Sequence, residues 1–198
     1  MSVKYPPGVK PRKTVEQPGE KKQKKNIASA ANRGMVFEAD INETNSFYIE
    51  KGLALVYKRP TPINVVHVDY SHGAKITHAY FEAQSTTDYN GVYKGKYLDF
   101  EAKSSKSRTS FPLNNIAKQQ VEHLRRVMKQ GGIAFFLINM SSLNETYLLD
   151  AKYVCDFYEE HPRKSIPISD IREKGHLVKE GYRPRYDYLP IVDEFFLK

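Results

Sequence analysis

The chain of 198 residues carries 31 Lys and Arg against 23 Asp and Glu, a formal net charge of +8, and 40% of its residues are hydrophobic. This length favours one domain, and the apolar fraction suffices for a core, which excludes a chain that is disordered throughout. Because the longest apolar run, near 133–139, is far shorter than the ~20 residues of a membrane helix, we expect no transmembrane span. The polar start predicts no secretory signal, and the single Cys155 excludes a disulfide framework and a cysteine-based zinc site, so we expect a cytoplasmic protein.

Most of the positive charge lies near the N-terminus. Residues 1–33 contain nine Lys and Arg and two Glu, which is +7 of the +8, whereas 34–198 contain 22 basic and 21 acidic residues. Residues 1–26 are also rich in Pro and poor in bulky apolar side chains, so they bury too little surface to offset the entropy lost on ordering. We predict a flexible basic arm over 1–26, which either binds nucleic acid or only aids solubility, and one folded domain over 27–198.

Hydrophobic periodicity and turn residues predict an α/β body with a mixed sheet and helices on its faces. The pattern reads helix, a run of strands, helix, two strands and short helices. The predicted ranges are a helix over 27–46; strands over 53–58, 63–71, 75–82, 84–88, 92–94 and 96–104; a helix over 114–129; strands over 133–140 and 145–149; and helices over 151–159 and 166–173.

Two hairpins are predicted within the run of strands. Residues 63–71 and 75–82 flank the tip Ser71-His72-Gly73-Ala74 and should pair, and few core residues flank this hairpin, so we expect it to project from the body. Asn90-Gly91 lies between two strand patterns, and this dipeptide is a strong hairpin signal, so we expect a turn there.

The residues most suited to chemistry lie on two consecutive strands. Side chains two apart share a face of a strand, so Asp99, Glu101 and Lys103 lie opposite the apolar face of theirs. If the strands are neighbours, Asp88 and Glu101 converge, and two close carboxylates repel unless a cation lies between them. Their hard oxygens suit Mg²⁺ or Mn²⁺, and Lys103 would lie beside the metal and a scissile phosphate. The alternative interpretation is a solvated strand face.

Other polar residues compete with this set. Asp99 is one strand step, ~6.6 Å, from Glu101, and we expect it at the rim of the site. Thr86 is favoured over Thr87 because it shares a face with Asp88. Glu38 could approach the site from the first helix or form a salt bridge. The six histidines show no zinc spacing.

Several segments from about residue 30 to the C-terminus form a specific pattern. They are Asn32-Arg33-Gly34-Met35, Phe37-Glu38, Lys58-Arg59-Pro60-Thr61-Pro62, Ala79-Tyr80-Phe81, Ser85-Thr86-Thr87-Asp88-Tyr89-Asn90-Gly91-Val92-Tyr93, Asp99-Phe100-Glu101-Ala102-Lys103, Thr109-Ser110-Phe111-Pro112-Leu113 and Gly181-Tyr182-Arg183-Pro184-Arg185. The Thr-Thr-Asp-Tyr-Asn-Gly and Phe-Glu-Ala-Lys blocks are highly specific together. In this order the segments closely resemble RecU, the Holliday-junction resolvase family of Gram-positive bacteria.

The resemblance implies a restriction-endonuclease-like fold, a homodimer and an endonuclease that uses Mg²⁺, with Mn²⁺ as the alternative, at one ion per subunit. It implies that Asp88 and Glu101 ligate the metal, with Thr86 and Gln120 as further ligands, and that Lys103 stabilises the transition state. For Gln120, a glutamine at the edge of the core is the rival interpretation. The hairpin over 63–82 would be the family's stalk, which enters the centre of a four-way junction, although its tip lacks the basic Pro-Lys-Arg stretch of other members.

DNA contacts are expected from basic and aromatic residues around this site. Arg33, Lys58 and Lys75 are predicted to contact phosphates, with simple solvation as the alternative. Tyr80 and Phe81 are predicted to stack on junction bases, although we expect at least one of them to pack at the base of the stalk.

The function predicted by resemblance is resolution of four-way junctions by paired symmetrical nicks during homologous recombination and DNA repair. A two-fold dimer suits the two-fold symmetry of a junction. A strand-exchange recombinase and a branch-migration helicase are expected partners, and we expect the protein at the nucleoid. Two alternatives stay open. They are a plain duplex endonuclease of the same superfamily, which needs no stalk, and a non-catalytic DNA-binding or annealing protein, which tolerates the loss of Lys103.

Overall fold

A computed structural model describes residues 18–81 and 86–197, with the side chains of the first helix from Gly34 onward. None of the helices in these ranges is long and apolar enough to cross a membrane. The helices are α1 (Pro18–Glu50), α2 (Lys118–Lys129), α3 (Ala151–Glu160), α4 (Ile168–Lys174) and α5 (Leu189–Phe196), with a 3₁₀ turn at Leu113–Asn115. The strands are β1 (Leu55–Lys58), β2 (Ile63–Asp69), β3 (Lys75–Phe81), β4 (Tyr89–Tyr93), β5 (Lys96–Ser105), β6 (Ser110–Pro112), β7 (Ile133–Met140), β8 (Glu145–Asp150), β9 (Ser165–Pro167), β10 (His176–Leu177), β11 (Lys179–Glu180) and β12 (Tyr186–Asp187).

The main sheet has six strands in the order β1-β4-β5-β7-β8-β10. Only β5 and β7 pair in parallel, because α2 provides the crossover between them, and the other neighbours are antiparallel. One core, which includes Phe37 and Ile41 of α1, covers one face, and a second core, which includes Val121 and Leu124 of α2, covers the other. The predicted mixed sheet flanked by helices is confirmed.

The predicted helices over 114–129 and 151–159 and the strands of the central sheet over 96–104, 133–140 and 145–149 differ from the observed ones only at their ends, whereas the predicted strand over 84–88 is not observed in 86–88. The apolar run over 133–140 forms β7 as predicted, and all eight of its residues are buried. The helix predicted over 27–46 is the central part of the longer α1, which begins at Pro18 and so includes the last residues of the predicted arm. Residues 1–17 of that arm lie outside the described residues. The short helix α5 at the Tyr- and Pro-rich C-terminus was not predicted.

The turn predicted at Asn90-Gly91 is wrong. Both residues lie within β4, and the turn to β5 falls at Lys94 and Gly95, which both have positive φ angles, 46° and 74°. Two residues with φ > 0 suit a tight hairpin turn. Gly91 has another role, since a Cβ there would lie 2.0 Å from the carbonyl oxygen of Leu55 on the neighbouring β1. Close packing of two backbones, not a turn, requires this glycine.

The hairpin of β2 and β3 forms a separate two-stranded sheet, as predicted. Ile63 pairs with Phe81 at its base and Asp69 pairs with Lys75 near its tip, with register irregularities near His67. Every residue of β3 is exposed, and so is every residue of β2 except Val68. The hairpin therefore lies outside both cores, which agrees with the expected projection.

Candidate active site

Strand β5 carries the central residues of the site because it lies in the middle of the sheet, between β4 and β7. Alternate side chains of β5 enter the core, where Phe100 stacks against Tyr89 and Phe135 with ring centroids 4.9 and 4.6 Å apart. This packing turns the intervening side chains, Glu101 and Lys103, to the opposite face. Glu101 is completely buried, whereas the side chain of Lys103 is 24% exposed.

The carboxylate of Glu101 is the centre of a small polar cluster. Asp88 immediately precedes β4, and the pairing of Tyr89 with Phe100 places it beside Glu101. The Asp88 backbone N–H donates to Oε2 of Glu101 at 3.0 Å, and the Gln120 amide donates to Oε1 at 2.7 Å. Lys103 forms an ion pair with the same Oε1. Asp88, Glu101 and Gln120 are all buried, so the cluster is shielded from water on most sides.

Burial sets the electrostatics of this cluster. Desolvation, followed by the charge of Asp88, raises the pKa of Glu101 to about 8 from 4.5. Burial also opposes the charged form of Lys103, but the carboxylates of Glu101 and Asp88 outweigh it and raise the pKa of that amine. A second positive charge beside Asp88 and Glu101 would relieve their repulsion, so the cluster suits a cation.

The donor set fits a hard divalent ion rather than a softer metal. Asp88 and Glu101 offer carboxylate oxygens, and no group of three His, Cys, Asp or Glu suited to a metal occurs among the residues that the structure describes. An ion held by two carboxylates would keep waters, as Mg²⁺ and Mn²⁺ do. Of the two further predicted ligands, Thr86 is half-buried before β4. Gln120 turns its amide nitrogen to Glu101, while its oxygen accepts from the Ala117 N–H at 3.0 Å.

The two pairs of alternatives in the sequence occupy different environments. Gln120 is 4% exposed and contacts Glu101, whereas Gln119 is exposed. Thr87 is completely buried, and its hydroxyl donates to Asp99, whereas Thr86 is half-buried. Thr86 also precedes β4, which begins at Tyr89, so the strand alternation that favoured it over Thr87 does not apply there.

The expectation that Asp99 lies at the rim is wrong. Its side chain is 0% exposed because four side chains surround its carboxylate: Arg59, Thr87, Tyr97 and His123. The sequence analysis weighed Thr87 only as a possible metal ligand, and it missed Arg59, Tyr97 and His123. Two signals pointed to them, since Arg59 follows Lys58 in the basic Lys-Arg-Pro segment and His123 lies one helical turn after Gln120.

The residues predicted to bind DNA fall into two groups. Lys58 forms an ion pair with Glu38 of α1, and both are partly exposed. Lys75, Tyr80 and Phe81 lie on the hairpin. The expectation that Tyr80 or Phe81 packs at the hairpin base is wrong, since they are 61% and 82% exposed, and the hairpin has only two strands and no core. The side chain of Arg33 lies outside the described part of the structure.

The mixed sheet brings Asp88, just before β4, together with Glu101 and Lys103 of β5, an arrangement typical of endonucleases. Residues 32–194 match the family model described as RecU, Recombination protein U. The chain therefore belongs to the RecU family.

Relatives of known name match nearly the whole chain. This chain is 46% identical over 203 residues to the Holliday junction resolvase RecU of Geobacillus kaustophilus, and the match covers 99% of this chain and 98% of that protein. It is 48% identical over 183 residues to the Holliday junction resolvase RecU of Streptococcus equi subsp. equi, covering 91% of each. Among solved structures, Hjc of Archaeoglobus fulgidus, a Holliday junction resolvase, is 14% identical with a TM-score of 0.42, covering 72% of this chain and 94% of that one.

Proposed function

We propose that the protein is an endonuclease that resolves four-way DNA junctions, and that Asp88, Glu101 and Lys103 carry out the cleavage. The buried cluster just before β4 and on β5 supports this proposal, because it combines two carboxylates and an ammonium group. Membership of the RecU family, with relatives named Holliday junction resolvase, indicates the four-way junction as the substrate.

Asp88 and Glu101 would hold one divalent cation, Mg²⁺ or Mn²⁺, per subunit. When bound, the ion would polarise the scissile phosphate and lower the pKa of a water that attacks it. Glu101 is held for this role by two donors, the Asp88 backbone N–H and the Gln120 amide. Because those donors fix its carboxylate, little reorganisation is needed at the moment of reaction. Thr86 and Gln120 are proposed as further contacts to the ion or its waters.

Lys103 is proposed to stabilise the charge that develops on the phosphate. Its ammonium group is held by Glu101, and its pKa is raised, so it is positively charged at neutral pH. A fixed positive charge in a partly dry site interacts more strongly with a developing anion than it would in water. A neutral Lys103→Met side chain of similar length would lose this effect.

The exposed hairpin is proposed to select the junction over duplex DNA. Tyr80 and Phe81 present aromatic surface to solvent at its base, and Lys75 adds a charge near its tip. Bases at the open centre of a junction are accessible to stacking, whereas bases within a duplex are not. Lys58 and Arg33 are proposed phosphate contacts. A homodimer would place two sites on the two symmetric strands.

Cleavage of a four-way junction and of a linear duplex of matched sequence, with Mg²⁺ or with EDTA, tests the proposal. We expect paired symmetrical nicks only on the junction and only with Mg²⁺. Glu101→Gln should abolish cleavage and retain junction affinity. The control is Glu145→Gln, the same change in a carboxylate of β8 that pairs with Arg172 of α4, and this variant should cleave normally. Cleavage by Glu101→Gln at the wild-type rate contradicts the proposal.

A plain duplex endonuclease differs in its need for the hairpin. Replacing 66–78 by a short turn leaves the two cores intact, because the described hairpin residues contribute to neither. A junction nuclease then loses its preference for the junction, whereas a duplex nuclease cleaves as before. A non-catalytic binding protein predicts tight junction binding without nicks in either metal condition. The strand-exchange recombinase, the helicase and the nucleoid location stay predictions.

A further inference from the structure

The carboxylate of Asp99 is buried beside the proposed metal site without belonging to it. Its Oδ1 accepts a hydrogen bond from Thr87, and its Oδ2 contacts the Tyr97 hydroxyl at 3.0 Å, His123 Nε2 at 2.9 Å and Arg59 Nη2 at 2.5 Å. Arg59 also donates to the Tyr97 hydroxyl at 2.7 Å, so the contacts form a closed network. The side chains of Arg59 and His123 are only 17% and 23% exposed.

This network is connected to Asp88 from two directions. Thr87, which is tied to Asp99 through its side chain, is the residue immediately before Asp88. Arg59, tied to the same carboxylate, donates its backbone N–H to the carbonyl oxygen of Asp88 at 2.8 Å. Asp88 lies just before β4, at the end of the ladder that β4 forms with β1 and β5. The residue before Asp88 and the carbonyl oxygen of Asp88 are therefore held by groups that meet at Asp99.

Stability alone gives little reason for this arrangement. Removing two charges from water costs free energy that their attraction often does not recover, so buried ion pairs are weak contributors to folding. A buried network in which each group is satisfied does, however, fix the positions of its members. The groups fixed here are those next to a proposed metal ligand, and such outer contacts orient ligands in metal sites.

We propose that Asp99 is a positioning residue, which acts through Thr87 and Arg59 to hold the Asp88 carboxylate where it can bind the metal ion. The inference rests on the proposed role of Asp88 as a ligand. It assigns a function in cleavage to Asp99 and Thr87, which lie outside the proposed set of metal ligands.

Thr87→Val tests the inference, because it removes one hydroxyl and keeps the shape of the side chain. The readouts are Mn²⁺ binding to the free protein by electron paramagnetic resonance and the single-turnover rate on a junction at increasing Mg²⁺. We expect the Mn²⁺ affinity or the single-turnover cleavage rate to fall 10- to 100-fold, the usual cost of losing an outer contact in a metal site. Thr87→Ser keeps the hydroxyl and should restore both. Junction affinity in EDTA should not change.

Thr146→Val is the matched control, since Thr146 is also a buried threonine of this domain, and its hydroxyl accepts a hydrogen bond from Asn139 away from the site. It should bind Mn²⁺ normally. Wild-type Mn²⁺ affinity and rate in Thr87→Val overturn the inference, as does an equal loss in Thr87→Val and Thr146→Val. Asp99→Asn should also lower the Mn²⁺ affinity or the cleavage rate. If Asp99→Asn does not fold, the result for Thr87→Val decides the test.

Asp88→Asn separates this inference from the proposed function. Loss of Mn²⁺ binding in Asp88→Asn, with normal binding in Thr87→Val, overturns the positioning role and leaves the metal site in place. Wild-type Mn²⁺ binding in Asp88→Asn removes the proposed ligand itself, and the positioning role with it.

Discussion

Replacing Glu101 by Gln should stabilise the metal-free protein, and by more as the pH rises from 5 to 7. Burial, and then Asp88, raise the pKa of Glu101 from 4.5 to about 8. Between these values the unfolded chain has lost the proton and the folded protein keeps it, so the stability that this carboxyl provides below pH 4.5 is lost as the pH rises. One proton is worth about 1.4 kcal/mol per pH unit, which gives about 3 kcal/mol over these two units.

Urea unfolding of both proteins in EDTA at pH 5, 6 and 7 measures this effect. Other groups titrate alike in the two proteins, and Lys103 is charged throughout, so loss of its partner adds only a constant offset. From pH 5 to pH 7, the unfolding free energy of Glu101→Gln should therefore rise by about 3 kcal/mol relative to that of the wild type. Glu145→Gln should show no such gain, because Arg172 lowers the pKa of Glu145.

A difference between wild type and Glu101→Gln that stays constant from pH 5 to 7 refutes the argument from burial. Mg²⁺ supplies a second check at pH 7. A cation that binds the folded protein stabilises it by mass action, so Mg²⁺ should raise the unfolding free energy of the wild type more than that of the variant.

Three further changes test the packing and the hairpin. Phe100→Ala should lower the unfolding free energy by about 3–5 kcal/mol in urea titrations, because this buried ring is stacked between two others; a loss below 1 kcal/mol would contradict the packing. Gly91→Ala should lower the unfolding free energy by ~1–3 kcal/mol or more, the cost of overpacking, and the melting temperature should fall with it. Gly34→Ala should leave the melting temperature unchanged, because no atom lies within 4 Å of the added Cβ. Tyr80→Ala and Phe81→Ala should weaken junction binding in a filter or anisotropy assay but change the unfolding free energy by under ~0.5 kcal/mol, since both rings are exposed. Unchanged junction affinity in both variants would remove the aromatic contribution to the hairpin's role.

Local pattern alone was enough for several parts of the fold. The apolar run over 133–140 predicted β7 because a strand buried on both faces shows no alternation. The placement of Glu101 and Lys103 on one face of β5, with Phe100 on the other, followed from the two-residue period of a strand. The hairpin of β2 and β3 followed from two β-rich runs around a short polar tip.

Long-range contacts decided the features that the sequence reasoning placed wrongly. Asn90-Gly91 has the local signature of a turn, but β1 approaches its backbone so closely that only glycine fits within β4. Asp99 was expected at the rim because it lies one strand step from Glu101. Arg59, 40 residues earlier in the chain, and His123, 24 residues later, supply the contacts that allow it to be buried.

The sequence by itself therefore determined the periodicity of the strands and the residue types of the candidate site, because both depend on neighbours within a few positions. Only the tertiary structure decided that Gln120 rather than Gln119 contacts Glu101, and that Thr87 and Asp99 form a buried network beside Asp88. The physical reason is that burial depends on which distant segments cover a side chain. The charge and hydrogen-bonding state of a carboxylate are in turn set by that burial and by partners that folding brings from other elements.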